Sequence, residues 1–101
     1  IVPIMSLGGK GIISVIANIC PALMHNICQS FFDGDIAKSR ALSLEYLDLM
    51  NAMFIDVNPI PVKEAVNLIG YESGECRLPL VAMNDANREK MVSVMKKHGL
   101  I

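Results

Sequence analysis

Residues 7–18 read LGGKGIISVIAN, and they combine a helix end with a candidate strand. The paired glycines Gly8 and Gly9 predict the end of a helix, because glycine readily adopts the left-handed conformation that closes helices. The run GIISVI, residues 11–16, is short, β-branched and apolar throughout. Such a run is typical of a strand buried on both faces of a parallel sheet. A buried turn or the start of a helix is the alternative for the same residues.

The predicted strand has no partner elsewhere in the chain. No other stretch of the 101 residues has a convincing strand pattern. A parallel strand needs neighbours to complete its hydrogen bonds, so we expect the partner strands in sequence that precedes Ile1. The chain is therefore interpreted as an incomplete α/β protein followed by helices.

Downstream of this run, the sequence predicts four helices. Proline or a polar capping residue stands at each start, with Asn18 or a neighbour as the cap of the first, and glycine stands near most ends. The predicted helices are residues 21–32, 35–54, 61–69 and 84–98. Residues 71–83 are predicted to form a loop.

The composition is too apolar for an isolated domain of this size. Of the residues, 52% are hydrophobic and 19% are charged, and the mean hydropathy is +0.43. A small domain has a large surface to cover with polar groups. We therefore expect the chain to pack against other protein or to be cut from a larger one. If it is stable alone, we expect it to self-associate.

Charge and targeting signals exclude several classes of protein. The net charge is −1, which gives no basic field for nucleic acid. The longest apolar run is interrupted by Ser14 and Asn18 and is shorter than the roughly 20 residues of a membrane-spanning helix. No signal peptide is visible. The three cysteines have no pairing or metal-ligand spacing, so we expect reduced thiols in a cytoplasmic protein that holds no metal.

The histidines and carboxylates form no pattern that predicts catalysis. His25 and His98 have no spacing that ties them to a nucleophile, and both are interpreted as surface or interface residues. Glu45 and Asp48 are interpreted as a solvated helix face rather than as an acid–base pair.

Two lysines are candidates for a chemical role, either in Schiff-base formation or in phosphate binding. Lys63 could form a Schiff base if its pKa were depressed, but its place near a helix start beside Glu64 favours a surface lysine. Lys10 lies in a glycine-rich turn that lacks the spacing and the ending of a phosphate-binding loop. Both are interpreted as solvated side chains.

Three motifs together resemble the dihydrodipicolinate synthase family. They are LGGKGIISVIAN at 7–18, NPIPVKEA at 58–65 and RLPL at 77–80, and the resemblance covers essentially the whole chain. It implies a parent α/β protein with a TIM barrel and a C-terminal helical extension. Residues 1–33 would be the end of the barrel, with strand 8 and helix 8, and residues 34–101 the helical domain. This chain would then be mostly α-helical with one short buried strand.

The resemblance also implies a reaction. The family joins pyruvate to aspartate semialdehyde through a lysine Schiff base, in diaminopimelate and lysine biosynthesis. It needs no metal or organic cofactor and is usually a cytoplasmic homotetramer. Its Schiff-base lysine, relay tyrosine and threonine pair would lie before Ile1, so no residue here is predicted to be catalytic and the chain alone is expected to be inactive. One substrate contact carries over, the main-chain carbonyl of Ile13, which in the family faces the pyruvate.

Two other interpretations stay open. N-acetylneuraminate lyases and keto-deoxy sugar acid aldolases share the barrel, the Schiff base and sometimes a Pro-x-Pro-Val-Lys segment, although GIISVIAN favours the synthase. The chain could instead be a helical interaction module without catalysis. A strand-borne lysine upstream of Ile13 would favour an enzyme.

Overall fold

The computed structural model describes all 101 residues, Ile1 to Ile101. They form one 3-10 helix, Val15–Asn18, and six α-helices. The α-helices are α1 (Val2–Ser6), α2 (Pro21–Phe32), α3 (Ile36–Glu45), α4 (Leu47–Ala52), α5 (Ile60–Leu68) and α6 (Asp85–Lys97). The chain divides into two compact units, Ile1–Leu47 and Asp48–Ile101.

Capping side chains begin the helices that the sequence predicts. The Asp35 carboxylate accepts a hydrogen bond of 3.0 Å from the backbone N–H of Lys38 and opens α3. The Asn84 side chain accepts one of 2.9 Å from the backbone N–H of Asn87 and opens α6. Both satisfy N–H groups that have no partner within the helix. Pro21 is the first residue of α2, as expected.

The predicted strand at residues 11–16 does not form. Residues 11–14 are not part of any regular element, and residues 15–18 form the 3-10 helix instead. Ser14 keeps an extended backbone, with φ −125° and ψ 128°. A strand is completed by hydrogen bonds to its neighbours, and this chain has no second strand. Ser14 is therefore extended although no sheet is present.

Three predicted helix boundaries also differ. The helix expected over residues 35–54 is interrupted at Tyr46, which separates α3 from α4. The carboxylate of Asp48 accepts a 2.9 Å hydrogen bond from the N–H of Leu49, a local bond that competes with a continuous helix. The residue that caps α2 is Cys20 rather than Asn18. Helix α5 begins at Ile60, one residue earlier than expected.

In the first unit, α2 packs against α1, α3 and the 3-10 helix. Its fully buried Ile27 stands in a core that includes Met5 and Ile16. The hydroxyl of Ser39, which is also fully buried, donates a 2.7 Å hydrogen bond to the Ile27 carbonyl. A polar contact between two helices is therefore part of this core.

In the second unit, α5 packs against α6. The core contains fully buried side chains from α4, α5 and α6 and from the turn after α4. They are Leu49, Met53, Ala65, Met91 and Met95. An ion pair of 2.7 Å between Arg88 and Glu64 joins α6 to α5 at the surface.

Candidate functional site

Residues Lys10 to Ser14, called the open segment below, connect α1 to the 3-10 helix and contain the predicted contact residue Ile13. The backbone groups from Lys10 to Ile13 make no hydrogen bond within the chain. The Ile13 side chain is fully exposed. The N–H and C=O groups of this backbone can therefore pair with other peptide groups or with a ligand.

The open segment starts and ends at fixed points. Helix α1 closes with two hydrogen bonds of 3.0 Å, from the N–H of Gly8 to the Met5 carbonyl and from the N–H of Gly9 to the Ile4 carbonyl. This is the two-bond helix ending that needs a left-handed residue, and Gly8 has φ +99°. At the other end, the 3-10 helix buries Ile16. Only the residues between these points lack internal partners.

A main-chain carbonyl in this position has a limited chemistry. The oxygen of Ile13 can accept a hydrogen bond from a hydroxyl or an ammonium group and so orient it. It cannot act as a nucleophile or exchange a proton at neutral pH. The open segment can therefore position a reacting group, but the reaction needs side chains from elsewhere.

A second candidate is a cavity of about 530 Å³ within residues 48–101, between α5, the loop 71–83 and the start of α6. Its volume lies in the range of small-molecule sites. Three of its charged lining groups are already engaged, since the Lys63 ammonium donates to the Glu75 carbonyl at 2.9 Å and Arg88 pairs with Glu64. The sequence predicted a solvated side chain at Lys63; in the structure the residue is half-buried and its ammonium is bonded to the loop.

The wall of this cavity is tied to α5 by a side-chain amide. The Asn67 oxygen accepts a 2.8 Å hydrogen bond from the N–H of Ser73, and its NH₂ group donates to the Gly74 carbonyl at 3.1 Å. These bonds hold the loop 71–76 in a defined shape.

A third polar cluster joins α4 to the end of α6. Nε2 of His98 lies 2.8 Å from Oδ1 of Asp48, and Nζ of Lys97 lies 2.6 Å from Oδ2. The hydrogen bond from Lys97, and then the one from His98, hold the pKa of Asp48 well below its usual range. The sequence predicted a surface or interface residue at His98; its side chain is only 7% exposed and therefore does not stand at the surface. His25 is exposed, as expected.

The remaining candidate groups do not assemble into a site. All three cysteines are free, and burial raises the pKa of Cys20. No group of three or more His, Cys, Asp and Glu side chains is arranged to hold a metal ion. None of the helices combines the length and the apolar character that crossing a membrane requires.

A model described as the dihydrodipicolinate synthetase family matches residues 1–98. The chain belongs to this family.

Relatives within the dihydrodipicolinate synthetase family agree closely with the chain. A 4-hydroxy-tetrahydrodipicolinate synthase of Clostridium perfringens is 52% identical over 101 residues, which are 100% of this chain and 35% of that protein. The dihydrodipicolinate synthase of Thermotoga maritima matches with a TM-score of 0.95 and 40% identity, over 99% of this chain and 34% of its own. A chloride-inhibited synthase of Acinetobacter baumannii, complexed with pyruvate, matches with a TM-score of 0.90 and 36% identity, over 99% and 34%.

The chain spans about a third of the length of these family members. This coverage agrees with a piece of a TIM-barrel protein, although the chain itself contains no strand. Of the family motifs, residues 58–65 lead into α5 and residues 77–80 lie in the loop that lines the cavity. Residues 7–18 contain the end of α1, the open segment and the 3-10 helix.

Sequence reasoning alone missed the Asp48–His98–Lys97 cluster. The two parts are 50 residues apart, and no local pattern links them. Asp48 was interpreted only as part of a solvated helix face.

Proposed function

We propose that this chain is the C-terminal third of a 4-hydroxy-tetrahydrodipicolinate synthase. The whole enzyme condenses pyruvate with aspartate semialdehyde through a lysine Schiff base, in the route to diaminopimelate and lysine. The proposal is supported by the family match over residues 1–98 and by the 52% identity to a protein of that name. A relative that was crystallised with pyruvate supports the substrate class.

At the level of the site, the proposal rests on one observation, which is the unpaired backbone of the open segment. Its backbone polar groups from Lys10 to Ile13 have no partner within the chain, as expected for a barrel strand whose neighbours belong to the rest of the protein. In that setting the Ile13 carbonyl would face the centre of the barrel. It would accept a hydrogen bond from pyruvate or from the Schiff-base nitrogen and hold the reacting atoms in place.

The remaining machinery belongs to the other two thirds of the protein. A lysine and a tyrosine from upstream strands would carry the covalent and proton-transfer steps, so residues 1–101 alone would be inactive. The whole protein would be a cytoplasmic homotetramer that needs no metal or organic cofactor, because the Schiff base withdraws electrons from pyruvate. Residues 1–33 would complete the barrel, and residues 34–101 would form its helical extension.

The experiment is an assay of the whole protein that carries this chain. We expect it to consume pyruvate together with aspartate semialdehyde, and borohydride with pyruvate should label one lysine outside residues 1–101. The matched control is the 101-residue chain, in which Lys10 and Lys63 should remain unlabelled. Cleavage of N-acetylneuraminate without condensation of aspartate semialdehyde would instead identify an aldolase of the same superfamily.

The role of the Ile13 carbonyl can be tested at the atom itself. Replacing the peptide bond between Ile13 and Ser14 by an ester weakens that carbonyl as a hydrogen-bond acceptor. A net hydrogen bond contributes about 1 kcal/mol, so the KM for pyruvate should rise about fivefold. The control, Ile13→Val, keeps the carbonyl and should leave KM within about twofold. If the ester and the valine variant behave alike, the carbonyl is not a substrate contact.

A further inference from the structure

Gly9 differs from the other six glycines in the space around it. A Cβ built on Gly9 would lie 2.9 Å from the carbonyl oxygen of Ile4 and 3.0 Å from its Cγ2 atom. At each of the other glycines, a Cβ would meet nothing within 4 Å. Those positions require glycine for their positive φ, whereas Gly9 requires it for a close backbone approach.

The close approach is to the Ile4 carbonyl oxygen, which accepts hydrogen bonds at the end of α1. The Ile4 carbonyl accepts hydrogen bonds from the N–H of Leu7, at 3.1 Å, and from the N–H of Gly9 itself, at 3.0 Å. An added methyl group would collide with this oxygen and push residue 9 away from α1. The bond that sets the direction of the outgoing chain would then lengthen or break.

Gly9 also directly precedes the open segment. Helix α1 is anchored by Met5, which is 3% exposed, so the direction of the segment is set where the chain leaves this helix. The other end of the open segment is fixed by the buried Ile16, so a displacement of residue 9 must be taken up by the backbone of residues 10–14. A shift of the Ile13 carbonyl by more than ~0.5 Å would exceed what a reacting geometry tolerates.

We infer that Gly9 is a positioning residue for pyruvate, because its close contact with the Ile4 carbonyl sets the direction of the open segment and so determines the position of the Ile13 carbonyl. This inference rests on the proposed function. Gly9 touches no substrate and acts only through the backbone that follows it.

The test compares Gly9→Ala with Gly34→Ala in the whole protein. Gly34 ends α2 with φ +86° and open space around it, so alanine there strains a helix end without turning the open segment. A displacement of about 1 Å can cost on the order of 100-fold in rate. For Gly9→Ala we expect kcat/KM for pyruvate to fall at least about tenfold, mainly through KM. For Gly34→Ala we expect pyruvate KM to stay within about twofold of the wild type.

A second pair of variants tests the same inference without a steric collision. Lys10→Gly adds backbone freedom directly after Gly9, and Lys10→Ala removes the same exposed side chain while keeping a Cβ. We expect Lys10→Gly to raise the KM for pyruvate about threefold above that of Lys10→Ala. This pair decides the question if Gly9→Ala does not fold.

The outcomes separate the two proposals. A wild-type protein that does not turn over pyruvate with aspartate semialdehyde would overturn the proposed function. An active wild type would overturn only the positioning role if Gly9→Ala kept its pyruvate KM, or if Gly34→Ala raised KM as much. Equal KM values for pyruvate in Lys10→Gly and Lys10→Ala would also overturn only the positioning role.

Discussion

Nε2 of His98 lies 2.8 Å from Oδ1 of Asp48, and this contact joins two residues of the second unit that are 50 positions apart. The other carboxylate oxygen accepts a hydrogen bond of 2.6 Å from Lys97. One carboxylate near the start of α4 therefore binds two consecutive residues at the end of α6. Because the His98 side chain is 7% exposed, its polar atoms depend on partners within the protein.

Asp48→Asn should destabilise the protein in a pH-dependent way. The pKa of Asp48 is lowered by the hydrogen bonds from Lys97 and His98, so the folded state favours the carboxylate. That stabilisation is fully present above the unfolded pKa of about 3.9 and is lost as the pH falls through the lower folded pKa. At pH 7 we expect a loss of about 1 kcal/mol, because the Lys97 pair is solvent-exposed. Urea unfolding of the whole protein measures it.

The matched control is Glu89→Gln, which removes an exposed carboxylate from α6. We expect it to change the free energy of unfolding by less than about 0.5 kcal/mol at any pH. The difference between wild type and Asp48→Asn should narrow as the pH falls below about 4. A difference that stayed constant down to strongly acidic pH would show that the carboxylate charge contributes nothing.

Ser39→Ala should weaken the contact between α3 and α2. The Ser39 hydroxyl is buried and donates to the Ile27 carbonyl at 2.7 Å. Its removal should cost about 1 kcal/mol, since the carbonyl also belongs to the hydrogen bonding of α2. Ser39→Val should cost more, about 2 kcal/mol, because the site is fully packed. Thermal unfolding measures both, with the exposed Ser93→Ala as control, and valine proving better tolerated than alanine would contradict the assignment.

Leu49→Ala should be far more damaging than Leu44→Ala. Leu49 is 0% exposed, whereas Leu44 is 64% exposed. A cavity left by a buried leucine costs about 3 kcal/mol, and an exposed leucine costs less than about 0.5 kcal/mol. Urea midpoints of the two variants give the comparison. Equal losses would mean that Leu44 is buried in the whole protein by residues outside this chain.

The isolated 101-residue chain should self-associate. Its first unit exposes Ile4 at 67%, Leu7 at 88% and all of Ile13, close together in sequence around the open segment. Apolar side chains beside unpaired backbone promote association. Sedimentation should show a species heavier than 11.0 kDa that increases with concentration, and Ile13→Lys should reduce it. A monomer at all concentrations would contradict the expectation.

Several local structural signals were predicted correctly from the sequence. Asp35 and Asn84 cap the helices expected of them, and Gly70 lies just past the end of α5. These caps and helix ends depend on residues only three to five positions apart, so the sequence contains both partners of each bond. The break at Tyr46 was missed because the apolar pattern continues through it, and the local hydrogen bond from the N–H of Leu49 to Asp48 leaves no mark in that pattern.

By itself the sequence determined the family, through its ordered motifs, and most of the helix ends, through caps, prolines and glycines. Only the tertiary structure decided whether residues 11–14 join a sheet, which carboxylate binds His98, and that Ser39 is buried against Ile27. Each of these depends on groups distant along the chain, or on strands that this chain does not contain. A strand is completed by its neighbours rather than by its own residues, and for that reason the open segment of this chain is unpaired.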